Sequence, residues 1–406
     1  MTATVEILYL ANARIPSEKA HVYQILQMCD AFAAVGAAVR LVYPRRANLD
    51  DLSEVTDLAG FYGVKRLPDM VARPCLDAVK LVTIDFPTLA RTPLAAVAFA
   101  VQAATFAGMA APLARQAAHA GWIVYSRDWP ALWPVVAATR RPRRAVWEAH
   151  DLPQSRIARA ALRRLLPRLA GVVAITAGLA QELTAWAGPD VPVLVAPDGV
   201  DLDRFAATPS LGEARKRLGW SAGSQIVVYA GHLYSWKGVY TLAQAAALLA
   251  PTIQVVIVGG TPADRQVFAA FLHREGLTAR VRLIGYVPPG EVPTYLAAAD
   301  VLALPNSGAL PISRTYTSPL KLFEYMAARR PIVASNLPAL REVLTHDQTA
   351  CLVPADSPSA LAQSLTALLA DPDRQQRLAT AAAVAVRQHT WRARAQRIIE
   401  WLDSRQ

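Results

Sequence analysis

The sequence predicts an α/β protein of two Rossmann-like halves, each a parallel sheet flanked by helices, facing each other across a central cleft. Three observations predict it. Short apolar runs alternate with longer helical patterns through most of the chain, the pattern of successive βα units. The 406 residues exceed the roughly 100–200 expected of one domain. A turn-rich break, Pro197-Asp-Gly-Val-Asp201, separates two such alternating series.

Taken in order, the first series places strands at Val5–Leu10, Ala38–Tyr43, Trp122–Tyr125, Ala145–Glu148, Gly171–Ile175 and Val193–Ala196. A helix from about His21 to Val35 ends at Gly36, the residue type that most easily terminates a helix. The second series places strands at Gln225–Ala230, Gln254–Val258, Val281–Ile284, Val301–Leu304 and Pro331–Ala334, with helices at Val239–Leu249 and Ser318–Ala328. The predicted domains are therefore 1–197 and 198–385. A last apolar helix, about 386–406, packs back onto the first. Ligands of such sheets bind outside the carboxyl ends of the strands.

With 53% hydrophobic and 18% charged residues, the chain has apolar material for two cores. Cys29, Cys75 and Cys351 are too few and too scattered for a disulfide framework or a zinc site, which points to a reducing cytosol. The N-terminal residues read as a strand, not as a signal peptide. Between Arg91 and Arg115 no residue is charged, a length that can span a bilayer. The stretch is mostly alanine, carries Thr92, Gln102 and Thr105, and has Pro93 and Pro112 near its ends, so a buried or half-buried helix is expected. The net charge is +11, and arginines concentrate at 140, 141, 143, 144, 156, 159, 163, 164 and 168, against only Glu148 and Asp151. A basic segment of this kind either docks on anionic lipid headgroups or is a solvated surface helix. No zinc-finger, RRM-type or aromatic-interleaved basic pattern supports nucleic acid as the partner.

The most informative segment is Ser318-Pro-Leu-Lys-Leu-Phe-Glu324. Ser318 suits a helix N-cap and Pro319 the first helical position. Lys321 then falls in the first turn, where free N–H groups already attract phosphate, and Glu324 lies one turn deeper, able to accept from ribose hydroxyls. A second lysine, Lys237, occupies the loop between the strand Gln225–Ala230 and the next helix, again at a helix start. Two such lysines can neutralise a diphosphate. Gly259 and Gly260 allow close backbone approach, and Gly285-Tyr286-Val287 can line a nucleobase pocket. In the first half, His150 ends the strand Ala145–Glu148, where it can bond a sugar hydroxyl, move a proton or serve structurally. Arg127 ends the preceding strand in the same ambiguous way. The loop Arg14–Ala20, with Ser17 and Lys19, is placed for an anion or acceptor contact. It holds no glycine, so it is neither a dinucleotide fingerprint nor a P-loop, and no Gly-x-Ser-x-Gly elbow, HExxH or Cys/His metal spacing occurs.

These segments resemble the retaining glycosyltransferases of the GT-B fold, family 4, over nearly the full length. The matching stretches are Glu148-Ala-His-Asp151, Pro197–Asp201, Gly231-His-Leu-Tyr-Ser-Trp-Lys-Gly238, Gly285-Tyr-Val-Pro288, Ala299–Pro305 and Ser318–Ala327. The resemblance implies a nucleotide-sugar co-substrate, a UDP- or GDP-sugar, no bound cofactor or metal, and an acceptor it does not identify. It assigns Lys237 and Lys321 to the donor diphosphate, Glu324 to the ribose and His150 to the donor sugar or reacting centre, with His150, Lys237 and Lys321 as the catalytic residues. Gly231, His232, Gly260, Tyr286, Tyr316, Thr317, Ser318, Pro319 and Leu320 then belong to the donor site. Ser17, Lys19 and Arg127 belong to the acceptor side. Three departures stand out: His232 replaces an arginine, Tyr316 replaces the first acid of an E-x7-E pattern, and Ile15–Lys19 replaces a Gly-Gly loop. The implied activity is transfer of a sugar in glycan, glycolipid or glycoconjugate synthesis at the cytoplasmic side of a membrane. A non-catalytic sugar-nucleotide-binding homologue, and an epimerase or hydrolase on the same fold, are the rival readings.

Overall fold

The structure, a computed structural model, describes residues 4–48, 52, 54–80, 93–138, 144–188 and 190–405. Arg91, Thr92, Arg140, Arg141 and Arg143 of the sequence argument lie outside them. The chain gathers into two compact units. One holds the residues up to Ile175, Leu179–Ala196 and the residues from Trp391 onward; the other holds Thr176–Gly178 and Pro197–Thr390. The division thus falls one residue before the expected boundary, and the segment 386–390 stays with the second unit. Residues 176–178 also side with it. Thr176 Oγ1 donates to the Thr315 carbonyl at 2.7 Å, and the N–H groups of Ala177 and Gly178 donate to the Glu342 carboxylate at 2.8 and 3.2 Å.

The first unit is built on seven parallel strands in the order β3-β2-β1-β4-β5-β6-β7. They are β1 Glu6–Leu10, β2 Ala38–Arg45, β3 Asp69–Pro74, β4 Ile123–Ser126, β5 Ala145–Ala149, β6 Gly171–Ala174 and β7 Val193–Val195. Strands β4, β5 and β6 are buried at every residue, as a parallel sheet covered on both faces requires. Helix α1 (Ala20–Ala34) connects β1 to β2, and α2 (Pro93–His119) precedes β4. Helix α3 (Trp133–Ala138) follows β4, and α4 (Arg156–Leu165) links β5 to β6. Crossovers between parallel strands are right-handed. Because β1→β2 and β4→β5→β6 step in opposite directions along the sheet, α1 covers one face and α2, α3 and α4 the other.

Helix α2 is half-buried, as expected, with Gln102, Phe106, Ala110 and Ala114 on its buried face. Its segment Val97–His119 is long and apolar enough to cross a membrane, and only 33% of its most apolar window is buried. Leu94, Val97, Phe99, Val101 and Met109 are exposed along it.

The second unit has six strands in the order β10-β9-β8-β11-β12-β13, all parallel. They are β8 Gln225–Ala230, β9 Ile253–Val258, β10 Val281–Ile284, β11 Val301–Leu304, β12 Ile332–Ser335 and β13 Cys351–Val353. Two apolar clusters cover the faces: one around Phe323, Tyr325 and Met326, the other around Tyr229, Leu242 and Phe268. Helix α5 (Val239–Leu248) follows β8 and α6 (Leu320–Ala327) lies between β11 and β12. Helix α7, Trp391–Asp403, returns to the first unit and packs along α1. Its Trp401 lies where β6 begins: a Cβ at Gly171 would come within 2.2 Å of the indole.

Candidate active site

In the second unit, β8 leaves the sheet into Gly231-His-Leu-Tyr-Ser-Trp-Lys-Gly238. Gly231 has φ +146°, and a side chain there would press on the Tyr229 hydroxyl and the Lys321 stem. Gly238, with φ +74°, passes so close to β11 that a Cβ would fall 1.7 Å from the Pro305 carbonyl oxygen. Only glycine permits both the dihedral and the approach. This crossing holds the single 3₁₀ turn Ser235–Lys237 against the β11 exit, where Ser307 N–H and Ser313 Oγ both donate to the Trp236 carbonyl.

Both predicted lysines are in this region. The Lys321 ammonium lies over the Tyr229 ring, 3.9 Å from its centroid, and that of Lys237 over the Trp236 ring at 3.8 Å. Lys321 is buried and its Nζ has no hydrogen-bond partner. Burial, then the nearby positive Lys237, drives its pKa well below the usual lysine range. Burial brings Lys237 down to about 7. The two lysines thus stand close together, and burial outweighs the help that Glu324 gives the Lys321 charge, a cost in desolvation that an incoming anion would relieve. Asn306, at the β11 exit, adds to this polar, unspent set: it is fully buried and neither side-chain amide atom has a partner.

The helix start is shifted from its expected position. Helix α6 begins at Leu320, with Pro319 in the extended conformation at the cap and no side-chain cap bond. Ser318 does not cap it, because its hydroxyl instead accepts from the Asp198 N–H at 2.9 Å. The turn Pro197–Asp201 is thereby tied to the start of α6. Lys321 still falls in the first turn, and Glu324 one turn on. Burial raises the Glu324 pKa against the opposing pull of Arg204, whose guanidinium stands 3.9 Å away, and of Lys321. Tyr316 and Thr317 are buried beside Ser318. Gly260 (φ +83°) ends β9, and Tyr286 is 45% exposed beyond β10. His232 stacks on Tyr234 at 5.0 Å, and Tyr234 on Trp236 at 6.2 Å, a short aromatic ladder ending under Lys237.

In the first unit, His150 follows β5, and its Nε2 lies 2.6 Å from Glu148 Oε1. Glu148 is fully buried, and Gln24 Nε2 (2.6 Å), the Tyr125 hydroxyl and an Arg394 N–H (3.0 Å) also donate to it. Burial alone would raise the Glu148 pKa, but Arg394, followed by His150, holds it well below the usual range. His150 is brought down to about 4, by burial first and then by Arg127. Arg127 is bound to Gln24 Oε1 at 2.6 Å and to the His21 carbonyl, so it buttresses this network. Ser17 is buried and bonded through its backbone to the Tyr62 hydroxyl, while Lys19 is exposed ahead of α1. Among the described residues, no three His, Cys, Asp or Glu side chains cluster in a way that could hold a metal ion.

The sequence did not single out Arg204, Asn306, Gln24 or Arg394. Asn306 lies two residues past the end of β11, and the ends of such strands are where ligand-facing groups gather; that position was its one signal. Arg394 had none, since it reaches β5 only through the return of α7.

Comparison with known proteins matches residues 22–204 to the family described as Glycosyltransferase Family 4 and residues 224–371 to that described as Glycosyl transferases group 1. A D-inositol 3-phosphate glycosyltransferase of Xylanimonas cellulosilytica is 30% identical over 282 residues, covering 67% of this chain and 66% of that one. A phosphatidyl-myo-inositol mannosyltransferase of Mycobacterium tuberculosis is 31% identical over 212 residues, 50% of this chain and 52% of its own length. The chain therefore spans between about half and just under two thirds of these curated relatives. Among solved structures, sucrose-phosphate synthase from Thermosynechococcus elongatus superposes with a TM-score of 0.75 at 19% identity, covering 98% of each chain. Anabaena HepE, in complex with UDP, does so with a TM-score of 0.72 at 18% identity, covering 98% of this chain and all of that one. With both halves matched in sequence and 98% of the chain superposed on solved structures, the chain belongs to the group 1, family 4 glycosyltransferases and has the GT-B fold.

Proposed function

We propose that this protein is a retaining glycosyltransferase that moves a sugar from a nucleoside-diphosphate donor to an acceptor hydroxyl without a metal. The observation that carries this reading is the pair Lys237 and Lys321, two neighbouring lysines each over an aromatic ring, of which Lys321 is buried with no hydrogen-bond partner for its Nζ. A diphosphate leaving group gains negative charge as the bond to the sugar breaks. Preorganised cations aimed at that charge stabilise the transition state more than the bound donor. In this reading Glu324 accepts from the ribose and His150 contacts the sugar. The relatives' names support sugar transfer, and the UDP and UDP-glucose held by HepE support a uridine donor, with a GDP-sugar as the alternative.

The test is a panel of UDP- and GDP-sugars followed by thermal shift and by release of nucleoside diphosphate, with and without a cyclitol or lipid acceptor. A fitting nucleotide at 100 times its Kd should stabilise by about 2.7 kcal/mol. Turnover should persist in EDTA, and the product should keep the donor's anomeric configuration. Binding without acceptor-dependent turnover would favour a non-catalytic homologue; inversion or loss of activity in EDTA would defeat the mechanism.

The partner we assign to the first unit is an anionic membrane at the cytoplasmic face. Helix α4 presents Arg156, Arg163 and Arg164 to solvent around Ile157, which is 84% exposed. Helix α2, on the same sheet face, presents its apolar stripe. Basic residues near the surface add about 1 kcal/mol each in attraction to anionic lipid. The protein should sediment with phosphatidylglycerol vesicles but not with phosphatidylcholine vesicles, and Ile157→Asp should weaken this without touching nucleotide binding. Equal behaviour on both vesicles would overturn the assignment.

A further inference from the structure

The histidine that ends β5 is not free to choose its protonation state. Glu148 is buried with four side chains donating to it, from α1, β4, the β5 exit and α7. Of these, Arg394 is the cation directly bonded to the carboxylate. Its Nε is fixed in turn on the Ala196 carbonyl at 3.1 Å, so its position is set by the main chain and not by the carboxylate alone. An ionised carboxylate has only acceptor oxygens. The short contact between His150 Nε2 and Glu148 Oε1 therefore requires the proton to be on Nε2. The ring's remaining polar atom is then Nδ1, as an acceptor.

We propose that Arg394 is a positioning residue for His150: by keeping Glu148 ionised, it fixes the imidazole as the Nε2–H tautomer and leaves Nδ1 to accept from a hydroxyl of a bound sugar. Helix α7 thereby does more than cover the sheet: it supplies the charge that decides which hydrogen bond the histidine offers. The charged and titratable groups around His150 are consistent with this. Arg127 from the β4 exit and Arg394 disfavour a second proton on the ring, His21 at the start of α1 is brought down in pKa as well, and Glu148 alone favours one. The sugar hydroxyl rests on the proposed transferase activity; the tautomer does not.

The experiment is nitrogen NMR of the full chain labelled in histidine, with His150 assigned by the signal lost in His150→Gln. The wild-type ring should show the Nε2–H tautomer at pH 7 and begin to titrate only below pH 5. In Arg394→Met the buried carboxylate lacks its counter-charge, so the Glu148–His150 pair should bind a proton at higher pH. The His150 midpoint should then rise by more than one pH unit, and Arg394→Lys should restore it. Where Arg394→Met does not fold, Glu148→Gln removes the charge and keeps the shape, and should let the Nδ1–H tautomer appear. A wild-type Nδ1–H tautomer, an unmoved midpoint in folded Arg394→Met, or an unchanged tautomer in Glu148→Gln would each overturn the proposal. With donor and acceptor present, Arg394→Met should lower kcat roughly 10–100-fold at little change in donor KM, the size of effect expected of a displaced contact group. If the wild type transfers no sugar, the functional reading fails while the NMR result still stands by itself.

Discussion

Lys321 has its charge disfavoured by burial and by its neighbour Lys237, and the nearby Glu324 offsets this only in part. Replacing such a cation by an apolar side chain of similar length should stabilise the ligand-free fold. We expect Lys321→Met to gain about 1–2 kcal/mol in denaturant unfolding while losing the nucleotide-induced shift; a destabilised variant that still binds nucleotide would contradict the anion-site reading. Lys237, brought down to about 7, is largely uncharged in mildly alkaline solution. A bound diphosphate favours its protonated form, so binding should take up a proton, and affinity should fall as pH rises through and above 7. Calorimetry in buffers of different ionisation enthalpy reads the uptake directly, and a proton count of zero at pH 8 would rule it out. The two lysines and Glu324 were legible because each sits at a fixed offset from a strand end or helix start. The cap was misread because Ser318, a fitting cap residue by type, is diverted by the Asp198 N–H, a contact from outside its own segment. Local preference lost to tertiary structure there.

Among the elements, the central strands were plain in the sequence, and β8, β10 and β11 lie where the apolar runs placed them. The misses, β3 and β13, are edge strands. Asp69–Pro74 carries charge, a proline and half-exposed residues, and Cys351–Val353 is three residues long, so neither has the continuous apolar run of a strand covered on both faces. Helix α1 and the β5 exit carry a pH dependence. His21 is brought down to about 3, by burial first and then by Arg127, and His150 to about 4. A histidine with a lowered folded-state pKa binds its proton more readily when unfolded. Its contribution is therefore complete above the unfolded value near 6.5 and is lost as pH falls toward the folded value. Unfolding of the first unit at pH 5 should need less denaturant than at pH 7, with a loss of about 1–2 kcal/mol for each histidine. His21→Asn should remove part of this slope; an identical slope without His21 would assign it elsewhere.

For the molecule as a whole, the first unit is completed by residues that follow the entire second unit in sequence. Removing residues 391–406 strips α7 from α1, uncovers the start of β6 at Gly171 and leaves Glu148 without Arg394. We expect this truncation to melt the first unit's sheet, seen as lost near-UV signal from Trp147 and Tyr125, while the second unit still binds nucleoside diphosphate. Loss of nucleotide binding as well would mean that the second unit depends on the first. The return of the chain has a further consequence, for biosynthesis. Glu148 and Arg394 are 246 positions apart. At about 5–20 residues per second, a ribosome takes on the order of 10–50 s to travel between them. Throughout that interval the nascent first unit holds a core carboxylate without Arg394, the cation bonded to it, while the second unit can already close on the ribosome. The half made first is the half finished last. A chaperone that retains emerging chains would therefore be expected to engage the amino-terminal sheet, and to let go only once Arg394 has cleared the exit tunnel.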